Sequence, residues 1–233
     1  MSTFKFKQFE IAQDKCAMKV GTDGVLIGAW TACNKATNIL DIGCGTGLIS
    51  LMLAQRNDAA VITGIEIEEN AFLQSKDNFN NSKWSQRLSI LHTSLQVYQS
   101  NSKFDLIVSN PPFFTDSTQA NNQYRKFARS TNSLNFKELI SKSKTLLSEN
   151  GIFSVIIPFP RKEEFINIAL GNNLFLSRIC NVKGTANSPV KRILMEFTNS
   201  QNTILEENLI IEKERHNYTD KYIDLCKDFY LKM

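Results

Sequence analysis

The chain has 233 residues, 42% hydrophobic and 21% charged, with a formal charge of +4. That length holds one large α/β domain or two small ones, and the charge is too small to diagnose a nucleic-acid binder. Five cysteines (Cys16, Cys33, Cys44, Cys180, Cys226) form no C-x-x-C pair and have only His92 and His216 beside them, which argues against a zinc site or a disulfide framework. No apolar run approaches the ~20 residues of a membrane helix, and none resembles a signal peptide. The expectation is a cytoplasmic protein with reduced thiols, no membrane and no metal.

Phe4 and Phe6 alternate with Lys5 and Lys7, the pattern of a half-buried strand. Gly21-Thr22-Asp23-Gly24 then opens an apolar helix from Val25 to Trp30, with Thr22 or Asp23 as its N-cap. Ile39–Ile42 reads as a strand, and the helix after it, Leu48 to Ala54, is apolar nearly all round and should be sandwiched. Val61–Ile67 is a second strand; Glu68 and Glu69 occupy the first turn of its helix, where the helix dipole favours carboxylates. Leu88–Leu91 and Phe104–Ser109 follow as strands, the latter buried on both faces.

Phe114 to Asn132 has no clean periodicity, and a loop this long is usually functional or disordered. Asn135 with Glu138 resembles a capping box, starting a helix with Leu139, Ile140, Leu146 and Leu147 on one face. Asn150-Gly151 reads as a turn into the strand Ile152–Ile157. Pro160 starts a helix that Gly171 ends. Strands at about Leu174–Val182 and Arg192–Thr198 and a helix from near Tyr222 close the chain, the last bringing Leu225, Phe229, Tyr230 and Leu231 onto the body. With strand and helix alternating and no repeat or linker, the expected architecture is one α/β domain, its mostly parallel sheet covered by helices on both faces.

Asp41-x-Gly43-x-Gly45-x-Gly47 sits at a strand-to-helix turn, where glycines let the backbone approach a ligand. A dinucleotide fingerprint would carry its last glycine at position 48, which is Leu48. The spacing favours S-adenosylmethionine, whose ammonium Asp41 can attract directly or through water. Glu66, at the end of the next strand, can accept hydrogen bonds from both ribose hydroxyls, as it would in an NAD protein. Thr93 lies where it could line the adenine pocket.

At the carboxyl end of the fourth strand stands Asn110-Pro111-Pro112-Phe113. Ligands of open α/β sheets bind in crevices outside such ends. Each proline fixes φ and offers no N–H, leaving nearby carbonyls free as acceptors. If the Asn110 side-chain oxygen and the Pro111 carbonyl each take one N–H of a planar amine, positive charge developing on that nitrogen meets acceptors already in place. Phe113 would stack on the ring. Six cations (Arg125, Lys126, Arg129, Lys137, Lys142, Lys144) against one acid, Glu138, lie between Gln119 and Thr145. Arg125, Lys126 and Arg129 alternate with Tyr124 and Phe127, a pattern suited to phosphates and unstacked bases, and Lys191 and Arg192 could extend that surface. From these residues alone the acceptor stays open between an adenine, a guanine amine and a protein glutamine. An NAD-dependent oxidoreductase and a tRNA-binding module without catalysis are the readings from other classes.

Together Asp41–Gly47, Glu66 and Asn110–Phe113 resemble the motifs of class I S-adenosylmethionine-dependent methyltransferases acting on planar NH2 groups. With Phe4-Lys5-Phe6-Lys7-Gln8-Phe9, the stretch Cys16 to Leu26, and the ending Asp228-Phe229-Tyr230-Leu231-Lys232-Met233, the chain resembles the bacterial tRNA1(Val) adenine-37 N6-methyltransferase family almost from end to end. The resemblance implies a Rossmann-like fold with a seven-stranded, mostly parallel sheet in the order 3-2-1-4-5-7-6, strand 7 antiparallel. It also implies that residues 1–34 form an extension in which Lys19, Gly21, Thr22 and Asp23 close over the cofactor, and that Asn110 touches both cofactor and substrate. The implied partner is the anticodon loop of a tRNA, bound by a monomer. Where the family pattern has Ala-Arg-His this chain has Ala128-Arg129-Ser130.

Overall fold

The computed structural model describes residues 3–16, 18–112 and 134–233. Strands β1 (Thr3–Lys5) and β2 (Glu10–Ala12) form an antiparallel pair ahead of helix α1 (Thr22–Trp30). The alternating part then runs β3 (Asn38–Ile42), α2 (Leu48–Arg56), β4 (Val61–Glu66), α3 (Glu69–Asn80), β5 (Leu88–His92) and β6 (Phe104–Ser109). After it come α4 (Phe136–Leu146), β7 (Leu147–Pro158), α5 (Lys162–Gly171), β8 (Phe175–Lys183) and β9 (Val190–Thr198). The chain ends with β10 (Leu205–Ile210), the short pair β11 (Glu212–Glu214) and β12 (Asn217–Tyr218), and α6 (Asp220–Cys226).

Eight strands form the main sheet in the order β10-β8-β9-β7-β6-β3-β4-β5. All pairings are parallel except those of β9, which runs antiparallel to both β7 and β8. Seven of the strands therefore lie in the implied order, and β10 is an eighth. Successive side chains of each strand enter opposite layers. Ile39, Leu106, Val108, Ile156 and Leu194 pack with α1, α2 and α6 on one face. Leu40, Ile107, Val155, Ile157 and Ile193 pack with α4 and α5 on the other. Helix α2 is buried continuously from Leu48 to Ala54, as its all-round apolarity requires.

Several local expectations are corrected. The eighth strand carries consecutive acids, Glu206 and Glu207, and so has no strand-like alternation. It is held by pairing Leu205 through Ile210 with the edge of β8, and by Glu207, which accepts from Trp30 Nε1 at 2.7 Å and from Arg178 at 3.1 Å. Asn150-Gly151 is not a turn but part of β7. Phe104 pairs with Leu147 and Leu106 with Ile152, so the extra residues bulge outward, and a Cβ on Gly151 would lie 2.9 Å from the Phe104 carbonyl oxygen. Neither Thr22 nor Asp23 caps α1; both are inside it, the N-cap is Gly21, and Asp23 is spent on Arg192. Helix α5 does end at Gly171, but the left-handed residue that follows it is Asn173 (φ 55°). Leu147 begins β7, and Leu231 is 57% exposed rather than packed on the body.

The side-chain caps that do form are oxygen acceptors at free N–H groups, among them the Thr219 hydroxyl, which accepts from Tyr222 at the start of α6. Glu68 accepts from Asn70 and Ala71 to start α3. Asn135 accepts from Glu138 to start α4, while the Glu138 carboxylate turns to Gln96, leaving the capping box half made.

Gly47 caps α2 at φ 84°, and a Cβ there would meet Phe79 Cε1 at 2.5 Å. Left-handed strain and overpacking should together make Gly47→Ala roughly 2–4 kcal/mol less stable than wild type in urea unfolding.

Candidate active site

Strand β3 ends at Ile42, and the chain turns through three glycines with positive φ: Gly43 (71°), Gly45 (58°) and Gly47 (84°). The N–H groups of Gly43 and Cys44 both donate to the Ile65 carbonyl, at 3.0 and 3.1 Å, which ties the turn to the end of β4. A Cβ on Gly43 would meet nothing within 4 Å, and one on Gly45 only the Gly43 oxygen at 4.0 Å. These two glycines border an open cradle, and Gly47 closes the turn against Phe79.

Two carboxylates support the turn from below. Asp41 is wholly buried: its Oδ2 accepts from Ser50 Oγ at 2.7 Å, and its Oδ1 has no partner among the described residues. Burial pushes this carboxyl up to about 6, against the pull of the Ser50 and Cys44 hydrogen bonds, and the nearby Glu66 charge adds to the rise. Glu66 accepts from Gly45 N–H through Oε2 at 2.9 Å, and from Ile67 and Glu68 N–H through Oε1 at 2.8 and 2.9 Å. A carboxylate offers about four acceptor positions, so Glu66 braces the turn with most of its capacity and keeps about one position on Oε2 for a ligand. Thr93, the next candidate, donates its N–H to the Glu66 carbonyl at 2.9 Å and is half-buried.

The second motif arrives by strand pairing. Asp41 lies opposite Val108 and Ile42 opposite Ser109, and Ser109 Oγ donates to the Ile42 carbonyl at 3.0 Å. One residue further, this register sets Gly43 beside Asn110. Asn110 is half-buried, Pro111 buried and Pro112 exposed. Phe113, Arg125, Lys126, Arg129 and Ser130 lie outside the described residues.

The N-terminal extension is fastened over α3. Asn78 exchanges two hydrogen bonds with the backbone of Ala12, both at 3.0 Å, and also donates to the Thr46 carbonyl inside the glycine turn at 2.8 Å. Gln74 accepts from Lys15 N–H, and Gln13 from Val20 N–H. Between these anchors Lys19 is exposed, and Gly21 and Thr22 are exposed at the start of α1.

Residues 21–174 match the methyltransferase small domain family. A tRNA1(Val) (adenine(37)-N6)-methyltransferase of Christiangramia forsetii is 48% identical over 99% of this chain and 98% of its own length. One of the same description from Flavobacterium psychrophilum is 50% identical over 99% and 100%. This chain belongs to the tRNA1(Val) (adenine(37)-N6)-methyltransferase family. The fold is shared more widely: the crystal structure of a predicted O-methyltransferase, protein Atu636 from Agrobacterium tumefaciens, superposes with a TM-score of 0.71 at 19% identity, covering 89% of this chain and 96% of that one. The N-methyltransferase NodS of Bradyrhizobium japonicum gives 0.52 at 16% identity, over 74% and 90%.

For a methyltransferase of this family, the structure adds residues that sequence reasoning missed. Ser50 is the one polar residue in the run Leu48 to Ala54, and that isolation was its signal. Gln74 and Asn78, four apart on one face of α3, are buried amides that hold the extension, a spacing legible in retrospect. Ile67, next to Glu66, is 48% exposed at the cradle's edge. Of the expected RNA-contacting residues, Lys191 is exposed, whereas Arg192 donates through Nε to Asp23 at 2.7 Å. No group of metal-ligating side chains occurs among the described residues, and no described helix is long and apolar enough to cross a membrane.

Between about pH 4 and 6 the folded chain keeps on Asp41 a proton that the unfolded chain has lost. The stabilisation is complete below the unfolded value and lost as pH rises through about 6. In calorimetry of ligand-free protein, the Tm of Asp41→Asn should therefore gain on wild type between pH 5 and 8. A constant Tm difference would place the proton elsewhere.

Proposed function

We propose that this chain transfers a methyl group from S-adenosylmethionine to N6 of adenosine 37 in the anticodon loop of tRNA1(Val). The observation that carries the reading is the β3–β6 pairing, which sets the glycine cradle beside Asn110-Pro111-Pro112. Membership of the family supplies the acceptor's identity. The working unit in this reading is residues 1–233 as one domain, a monomer in the cytoplasm. The cradle at Gly43 and Gly45 and the orphaned Asp41 oxygen fit the cofactor. Leu48, buried where a dinucleotide fingerprint needs glycine, disfavours a pyrophosphate.

Gly43, Gly45 and Gly47 would hold the cofactor against the turn, Asp41 from beneath it and Glu66 at the ribose. Thr93 would lie at its adenine, and Lys19, Gly21 and Thr22 would cover it. When bound, S-adenosylmethionine supplies an electrophilic methyl group with a good leaving group. The protein's task is then to prepare the nucleophile. Asn110 accepts one N–H of the adenine amine through its side-chain oxygen, and the Pro111 carbonyl accepts the other. Held this way, the nitrogen is drawn from the ring plane and its developing positive charge faces two fixed acceptors. The methylated nitrogen is acidic enough to lose its proton without a dedicated base. Phe113 stacks on the base, and Arg125, Lys126, Arg129 and Lys191 meet the phosphates; Arg192 contributes by fixing Asp23.

Incubating the purified chain with tRNA and radiolabelled S-adenosylmethionine should place label in N6-methyladenosine after digestion to nucleosides. Label confined to protein, or none in tRNA, would sink the reading. Asn110→Ala should lower kcat roughly 10²–10³-fold, as loss of a preorganised contact does, while binding of S-adenosylhomocysteine changes little. Near-normal turnover in that variant would remove Asn110 from the chemistry.

A further inference from the structure

A cavity of about 580 Å³ is lined by Phe4, Tyr218, Tyr222 and Tyr230 and by Lys5 and Lys232; none of Asp41, Gly43, Gly45 or Glu66 lines it, while Gly21 and Thr22, proposed to cover the cofactor, do. It forms where β1 and the chain's last residues meet, two stretches that take no part in the methyl transfer. Phe6 makes a β-bridge to Tyr230, Lys7 N–H donates to the Phe229 carbonyl at 2.8 Å, and Lys7 Nζ reaches the Met233 backbone oxygen at 3.1 Å. These bonds fasten the rim without filling the space inside it.

The lining combines aromatic rings with charged side chains. Tyr222, buried, meets Tyr218 at 5.3 Å between ring centres, and Phe4 meets Tyr230 edge-on at 6.2 Å. Burial and the neighbouring Tyr230 push the Tyr222 phenol well up, so it stays a neutral hydroxyl. Leu231 lies 57% exposed among the lining residues. Lys232 is exposed, and Lys5 is exposed with Glu10 at 3.1 Å; Glu212 is the acidic side chain of the lining.

The cavity opens at the same end of the sheet as Asn110. Strands β8 and β10 run parallel to β7 and β6 and finish at Lys183 and Ile210, and the next N–H groups, of Ile211 and Glu212, donate to the Lys183 and Gly184 carbonyls. Strand β9 begins at this end, so Lys191 and Lys183 lie between the catalytic tip and the cavity. Strands β6 and β10 are four strand spacings apart, about 19 Å. One nucleotide cannot span that distance; a folded RNA arm can.

We propose that this cavity receives a second, unstacked nucleobase of the same tRNA, held between the tyrosines and Phe4 while Lys5 and Lys232 meet its phosphates. Aromatic walls accept a base of any identity, and the ammonium groups neutralise the backbone on either side. The inference rests on the proposed RNA substrate, and adds a contact remote from the methylated adenosine.

The test compares wild type with Tyr218→Ala, Tyr218→Phe and Lys232→Glu, measuring kcat and KM for tRNA, S-adenosylhomocysteine affinity and Tm. Tyr218→Ala and Lys232→Glu should raise the KM for tRNA on the order of tenfold, with kcat and S-adenosylhomocysteine affinity near wild type; Tyr218→Phe, which keeps the ring, should behave as wild type. If Tyr218→Ala lowers Tm, the exposed Lys232→Glu decides. An unchanged KM with intact wild-type turnover overturns the cavity's role alone, whereas a wild type that methylates no tRNA overturns the substrate reading beneath it. Parallel losses in tRNA and S-adenosylhomocysteine affinity, or AMP binding that Lys232→Glu abolishes and tRNA does not displace, would also overturn it.

Discussion

Everything at the carboxyl end of the sheet depends on the register between β3 and β6. Both strands are buried on both faces, so a slip of one residue would exchange the side chains packed against α1 and α2 for those packed against α4 and α5. Ser109, wholly buried, closes the last rung by donating to the Ile42 carbonyl. The apolar core therefore decides which residue emerges beside the glycine cradle. That residue is Asn110, followed directly by Pro111 and Pro112, whose rings fix their own φ angles.

A turn made of left-handed glycines has no side chains of its own to define its shape. Here the neighbours define it. Glu66 grips the Gly45 N–H, Asn78 grips the Thr46 carbonyl, and Asp41 holds Ser50 at the base of α2. Each donor or acceptor comes from a different element, so the cradle is set by the packing of β3, β4, α2 and α3 together. Three N–H groups, of Gly45, Ile67 and Glu68, already take most of Glu66's acceptor capacity, so this one carboxylate fixes the turn and the start of α3 at once.

The features legible in the sequence were those with local physical causes. Gly43, Gly45 and Gly47 were readable because glycine adopts such positive φ values without steric cost, and β6 because its apolar Leu106-Ile107-Val108 run needs two covered faces. Long-range causes left no local mark. Strand β10 exists because β8 leaves an edge to pair and because Glu207 finds Trp30 and Arg178, residues far away in sequence. Asp23 resembled a helix cap from its neighbours alone; its partner, Arg192, is 169 residues on. The Asn150-Gly151 pair is a common turn signal, overridden by pairing of Leu147 with Phe104.

The junction of the chain's two ends also bears on how the protein folds. Lys7 bonds to Lys227 and Met233, 220 and 226 positions away, and Ala12 to Asn78, 66 positions away. Contacts of that span carry the largest loop-closure entropy and form late. The Lys7 bonds close the longest loops of the fold, whereas β1 pairs locally with β2, and Ala12 and Lys15 dock on α3 across far shorter spans, so this segment joins the body in two stages: onto α3 first and onto residues 227–233 last.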